Sequence, residues 1–148
     1  MTAPRSLRAL AGAILLLAAP AALPAQQWSA EEAAVRIPLD AYLRGHATGD
    51  SAAFRRAFWK EAKLWFVRDG ALMSRTADEY IAGANGRPAP DEAQRKRWIS
   101  SVTIDGTAAV AVIELEYPTV HFTDYMTLLQ VGGEWRIINK SFHSRPRQ

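Results

Sequence analysis

The sequence predicts an α+β domain in which helices cover one face of a curved antiparallel sheet. Three observations lead there. Ser29-Ala-Glu-Glu32 and Thr76-Ala-Asp-Glu79 have the spacing of capping boxes and mark helix starts in the first half. Asp105-Gly106 and Gly132-Gly133 each separate two long alternating runs, the pattern of tight hairpins. From Gln94 onward the apolar residues recur with a period of two. Helix, helix, small hairpin, helix and then four long strands make a layered α+β fold. Closed by its long first helix, such a sheet forms a cone open at one end.

The elements follow in order. Residues 1–25 are expected to be a secretory signal peptide. Arg5 and Arg8 precede an apolar run from Ala9 to Ala19 that is too short to span a bilayer, and small residues continue to Ala25. Cleavage after Ala25 is the first choice and Ala19-Pro20-Ala21 the alternative, which leaves residues 26–148 as a single exported domain, periplasmic or extracellular. No later stretch has the length and apolarity of a membrane span. Without Arg5 and Arg8, 16 basic residues face 15 acidic ones, so the +3 charge of the whole chain says little about partners. No basic run with interleaved aromatics points to nucleic acid. With no cysteine in the chain, disulfides and thiol chemistry are excluded.

Ser29 is expected to cap a helix whose apolar positions are Val35, Leu39, Tyr42, Leu43 and His46, with Pro38 inside it and Gly45 and Gly49 at its end. Asp50 or Ser51 starts a second, shorter helix carrying Phe54, Ala57 and Phe58. Ala62–Arg68 reads as a strand turned by Asp69-Gly70 into Ala71–Ser74, and Thr76 starts a third helix. The segment NGRPAPDE is the main loop. Arg95–Ile104 and Thr107–Tyr117 form the next hairpin. With Asp105-Gly106 as its turn, Arg97 faces Glu114 and Arg95 faces Glu116, and Trp98 shares the opposite face with Val102, Ala111, Ile113 and Leu115.

The last hairpin runs from Val120 to Ser144. With Gly132-Gly133 as its turn, Val131 faces Glu134, and the pairs continue as Met126–Asn139, Asp124–Ser141 and Phe122–His143. Alternation then gathers Phe122, Asp124, Met126, Leu128, Gln130, Trp135, Ile137, Asn139, Ser141 and His143 on one face. Large apolar groups with an acid, an amide and an imidazole at one end suit the wall of a small-molecule pocket.

In this order of elements the chain resembles the NTF2-like superfamily, which holds nuclear transport factor 2, ketosteroid isomerase and SnoaL-type cyclases. Within it the chain is similar to the "putative lumazine-binding" branch. The residues carrying the likeness are Ile37-Pro-Leu-Asp-Ala-Tyr-Leu-Arg-Gly45 with Gly49-Asp50, Phe58, Ile104-Asp-Gly-Thr-Ala108, Phe122-Thr-Asp-Tyr125, Leu128-Leu129, Gly133-Glu-Trp-Arg-Ile137 and Asn139-Lys140. The resemblance implies an NTF2-like cone, a curved antiparallel sheet with three helices packed on its concave face, and a homodimer built through the sheet. It is specific for fold and does not fix an activity, because isomerases, dehydratases, cyclases and non-catalytic binders share this architecture.

Asp124 and His143 are the catalytic candidates. They fall one diagonal step apart on the expected face, and an acid orienting an imidazole suits proton abstraction next to a carbonyl. The competing reading makes Asp124 a buried acid that fixes the sheet edge. Tyr42, His46, Phe58, Trp65, Trp98, Met126 and Asn139 are the ligand-binding candidates, with Phe54 and Tyr80 as further aromatics able to line a cavity. At the end of the first helix, His46 could instead cap carbonyls. His121 falls on the other sheet face. Three histidines with no pair at ligand spacing argue against a metal, and no phosphate-cradling loop or nucleophilic serine motif calls for a cofactor. The first expectation for function is a non-catalytic pocket for a small, apolar or planar molecule. A cofactor-free isomerase or dehydratase using Asp124 and His143 comes second, and a structural dimerisation module third.

Overall fold

The computed structural model describes residues 28–147. The expected signal peptide lies outside them. Helix α1 (Ala30–Thr48) begins where Ser29 Oγ accepts from the Glu32 amide at 3.0 Å. The Glu32 carboxylate takes no part in the cap and pairs one turn on with Arg36. The helix ends at Gly49, left-handed with φ 68°, whose amide donates to the Gly45 carbonyl. Gly45 lies inside the helix, and a β-carbon there would stand 2.7 Å from the Phe54 ring. That glycine sets the close approach of α2 (Ser51–Ala57), which is capped by Asp50.

Strand β1 (Phe58–Arg68) begins directly after α2, four residues earlier than expected, and turns through Asp69-Gly70, both at positive φ, into β2 (Ala71–Thr76). Helix α3 (Ala77–Ile81) carries the complete capping box of Thr76 and Glu79. Strands β3 (Lys96–Asp105), β4 (Ala108–Glu116), β5 (Val120–Val131) and β6 (Glu134–Pro146) follow. The fold is the α+β cone: a six-stranded, curved, unclosed sheet in the order β2-β1-β6-β5-β4-β3, with three helices. Neighbouring strands are antiparallel except β1 and β6, which run parallel and bring the first and last strands together. Val35, Leu39 and Tyr42 of α1 pack with Phe54, Leu64, Ile113, Leu115, Met126, Leu128, Trp135 and Ile137 in one core.

Two registers depart from the sequence expectation, both through an extra residue. In β3–β4 the turn moves to Gly106-Thr107, with Asp105 opposite Ala108, and the pairing slips between Ile99 and Ser101. Ser100, the inserted residue, donates from its hydroxyl to the Val112 carbonyl. Beyond a bulge every side chain changes face. Arg97 therefore opposes Leu115 and turns inward. Trp98 opposes Glu114 and turns outward, 39% exposed and edge-on to His121. The expected Arg97–Glu114 and Arg95–Glu116 pairs do not form. Arg97 instead holds Glu92 with two bonds of 2.6 and 2.7 Å, Arg95 holds Asp91, and Lys96 stands near Glu116.

In β5–β6 the turn is as expected, Val131 opposite Glu134. Pairing then slips at Ile138: Leu128 faces Ile137, while Thr127 faces Asn139. Past that bulge Met126 opposes Lys140, Asp124 opposes Phe142 and Phe122 opposes Ser144. Asp124 faces the interior, completely buried. Asn139 and His143 do not share its face; Lys140 and Phe142 take those places.

Candidate functional site

A pocket of about 740 Å³ opens between the sheet and the helices. Its sheet wall is aromatic. Phe66 of β1 stacks on Phe142 of β6 with ring centres 5.0 Å apart, and Phe122 and Tyr117 continue the row. Leu64 and Leu115 fill between them. At the floor stand Lys140, Tyr80, His46 and Tyr117, and toward the mouth lie Arg68, Arg75, His143 and Ser144. Every ionisable side chain in this lining is basic or phenolic, and none is a carboxylate.

Behind the floor the polar groups form one chain. Tyr42 and Lys140 both reach Asp124 Oδ2, the tyrosine hydroxyl at 2.6 Å and the ammonium at 2.9 Å. Lys140 also donates to the Tyr42 hydroxyl at 2.6 Å. Tyr42 meets the Tyr80 hydroxyl at 3.3 Å, Tyr80 meets His46 Nε2 at 2.7 Å, and Tyr117 meets His46 Nδ1 at 3.1 Å. Arg97 Nε closes the far end on the Tyr117 hydroxyl at 3.4 Å.

The two ends fix the direction of the chain. An arginine can only donate, and a carboxylate can only accept. Each hydroxyl has one proton, so around a neutral His46 all links are filled in only one order. Arg97 donates to Tyr117 and Tyr117 to His46 Nδ1; His46 Nε2–H donates to Tyr80, Tyr80 to Tyr42, and Tyr42 to Asp124. This order assigns His46 as the neutral Nε2–H tautomer. Burial holds the His46 pKa well below the ordinary imidazole value, and the charges of Lys140, Arg97 and Arg95 act in the same sense. Burial also lowers the pKa of the Lys140 ammonium, opposed by its bond to Asp124. Tyr42 and Tyr80 are pushed up, first by burial and then, in Tyr42, by the Asp124 charge.

Two groups are left unused. Lys140, only 4% exposed, spends two N–H groups on Asp124 and Tyr42, and its third has no acceptor among the described residues. Asp124 Oδ1 is buried and receives no donor among them. Both His46 nitrogens are engaged by tyrosines, so no imidazole lone pair is directed at the pocket.

The sequence candidates therefore separate. His46 lines the pocket. Tyr42 and Asp124 lie one side chain behind it. Phe58 packs edge-on against Tyr42 and Tyr80 in the core, and Met126 is buried with it. Trp65 pairs with Ser141 and Ser74, Asn139 pairs with Thr127, and Trp98 faces outward; none of the three lines the pocket. His143 stands exposed at the rim, paired with Thr123, and is not joined to Asp124. Sequence reasoning missed Lys140, Tyr117 and Arg97. All three have polar ends in apolar alternation, but the bulges at Ser100 and Ile138 hide the phase that turns Arg97 and Lys140 inward. No group of three or more metal-ligating side chains stands together among the described residues.

Comparison with known proteins places this geometry. The family model described as "Putative lumazine-binding" matches residues 30–143. The chain belongs to this family. A solved NTF2-like protein of unknown function from Shewanella baltica OS155 is 28% identical, covers 83% of this chain and 100% of its own, and superposes with a TM-score of 0.72. Another, from Methylobacillus flagellatus KT, is 26% identical over 80% of this chain and 96% of its own, with a TM-score of 0.67. The curated protein "Aldolase FrzH" of Cladobotryum sp is 26% identical over 103 residues, 64% of this chain and 82% of that protein. These NTF2-like neighbours share the cone described above.

Proposed function

We propose that this family member binds a small, flat, mainly apolar molecule whose carbonyl or other oxygen acceptor meets Lys140. One observation carries the reading: a buried ammonium, held by Asp124 and Tyr42 and with no acceptor for its third N–H among the described residues, lines an aromatic-walled pocket of about 740 Å³. An apolar pocket with one convergent polar group orients its ligand through that group. A ligand lacking the acceptor would leave that N–H desolvated and without a partner, at a cost of roughly 1–3 kcal/mol. A lumazine is flat and bears carbonyls, and an aldolase acts on carbonyl compounds, so the family description and the Cladobotryum relative suit the same ligand class. The basic mouth extends the expectation of an apolar or planar ligand to one that also carries an acidic group.

Binding without turnover is favoured over acid–base turnover by His46, because both its nitrogens are already occupied. Calorimetry with aromatic carbonyl compounds and their deoxy hydrocarbon counterparts tests the reading. The carbonyl compounds are expected to bind at least about tenfold more tightly, a difference of about 1.4 kcal/mol. Equal affinities, or none for either series, would reject it. The double variant Lys140→Met/Asp124→Asn, which removes both buried charges together, is expected to erase the preference and keep the fold.

Export and self-association complete the proposed setting. Export rests on Arg5, Arg8 and the apolar run that follows, and N-terminal sequencing of the protein from a cell envelope fraction checks it. A homodimer through the outer sheet face would cover Val110 and Tyr125, both more than half exposed. Light scattering of the purified mature chain decides between one copy and two.

A further inference from the structure

We infer that Lys140 is an amine nucleophile that forms a reversible iminium with carbonyl compounds entering the pocket. The inference rests on the pocket reading above and goes beyond it, from holding a carbonyl oxygen to bonding the carbonyl carbon. Three features meet at this residue. Lys140 lines the pocket, and its Nζ stands among the rings of Phe142, Tyr42 and Tyr80 at 4.8, 5.0 and 5.2 Å. A proton acceptor stands next to it, since Asp124 Oδ2 is 2.9 Å away and the second oxygen, Oδ1, receives no donor among the described residues. The Tyr42 hydroxyl, 2.6 Å from Nζ, can pass protons between the lysine and that carboxylate.

The step balances without another reactant. The ammonium gives one proton to Asp124, and the free amine attacks the carbonyl carbon, forming a C–N bond. The carbonyl oxygen collects two protons, one returned through Asp124 and Tyr42 and one from the nitrogen, and leaves as water. The product is the protonated iminium, so the site carries the same net charge before and after. An iminium is a stronger electron sink than the parent carbonyl, which makes a carbon–carbon or carbon–hydrogen bond next to it easier to break. Lysines serve in this way when desolvation favours the neutral amine, and Lys140 is held in that sense.

Sequence makes the test clean, because the only lysines are Lys60, Lys63, Lys96 and Lys140. Lys60 and Lys96 are exposed and provide internal references. The intact protein is incubated at neutral pH with 4-carboxybenzaldehyde, whose carboxylate suits the basic mouth. The adducts are reduced with cyanoborohydride and located by peptide mass mapping. Labelling of Lys140 is expected to saturate with aldehyde concentration and to exceed that of each other lysine at least tenfold at early times. Absence of label on Lys140, or labelling no faster than at Lys60 and Lys96, overturns the inference. Terephthalate, the unreactive acid of the same shape, separates the two levels of the argument. If it protects the protein in a thermal shift assay while Lys140 stays unlabelled, the pocket stands and the covalent step fails. If it neither shifts the melting temperature nor competes with labelling, the pocket reading fails as well, and any label on Lys140 is then non-specific.

Discussion

At the scale of single residues, His46 shows how burial and neighbours set chemistry. Its ring is locked between Tyr80 and Tyr117, and its pKa lies well below the ordinary 6.5. The unfolded chain therefore takes up a proton that the folded chain refuses. Stability from this residue is complete above about pH 6.5 and declines as the pH falls below it, by at most about 1.4 kcal/mol per pH unit. Urea midpoints measured between about pH 4.5 and 7.5 should show this slope, and His46→Gln should flatten its contribution. Nitrogen chemical shifts should report the Nε2–H tautomer; an Nδ1–H tautomer would reverse the assigned direction of the chain. Glycines make a second residue-scale contrast. Gly49→Ala would place a β-carbon 2.4 Å from the Arg87 carbonyl at φ 68°, whereas Gly70→Ala at φ 77° meets nothing within 4 Å. The first should cost more than the roughly 1–2 kcal/mol expected of strain alone, and the second about that amount, as read from denaturant unfolding.

At the scale of elements, two inserted residues decide which side chains reach the pocket. Ser100 in β3 reverses the phase that places Arg97, and Ile138 in β6 reverses the phase that places Lys140. Deleting Ile138 would remove the extra residue and leave Asn139 opposite Thr127, Lys140 opposite Met126 and Phe142 opposite Asp124, so Lys140 and Phe142 would still face inward. The deletion should therefore keep the Lys140–Asp124 pair and lower unfolding free energy by less than the about 3–5 kcal/mol that an unpaired buried charge costs, while Ile138→Val should cost about 1 kcal/mol or less. These bulges were not legible in the chain. IINKSFH alternates well enough in either phase, and the turn residues Gly132-Gly133 constrain only the end nearest them. The helices were more readable, because their caps are local. Thr76 and Glu79 close the expected box, whereas Glu32 leaves its cap for Arg36, a competition that spacing alone does not resolve.

At the scale of the whole molecule, one sheet and one core bind the ends of the chain together. The parallel pairing of β1 with β6 joins strands separated by most of the domain, and α1 covers both halves through Val35, Leu39 and Tyr42. Neither half can bury its apolar face alone. Urea unfolding of the described domain should therefore be a single cooperative transition, with tryptophan fluorescence and far-ultraviolet circular dichroism coinciding; separated transitions would contradict this. Leu39→Ala, fully buried at the helix–sheet contact, should shift that transition by about 2–5 kcal/mol without splitting it.

The sequence by itself determined the helix starts, the Gly132-Gly133 turn, the α+β order and the inward direction of Asp124, because caps, turns and periodicity act over a few residues. Only the tertiary structure decided that Lys140 rather than Asn139 or His143 stands beside that acid, and that Tyr42, Tyr80, His46 and Tyr117 join it in one directed chain. Those facts depend on two single-residue slips and on strands paired across the length of the domain. A slip of one residue costs little local propensity but exchanges the two faces of a strand.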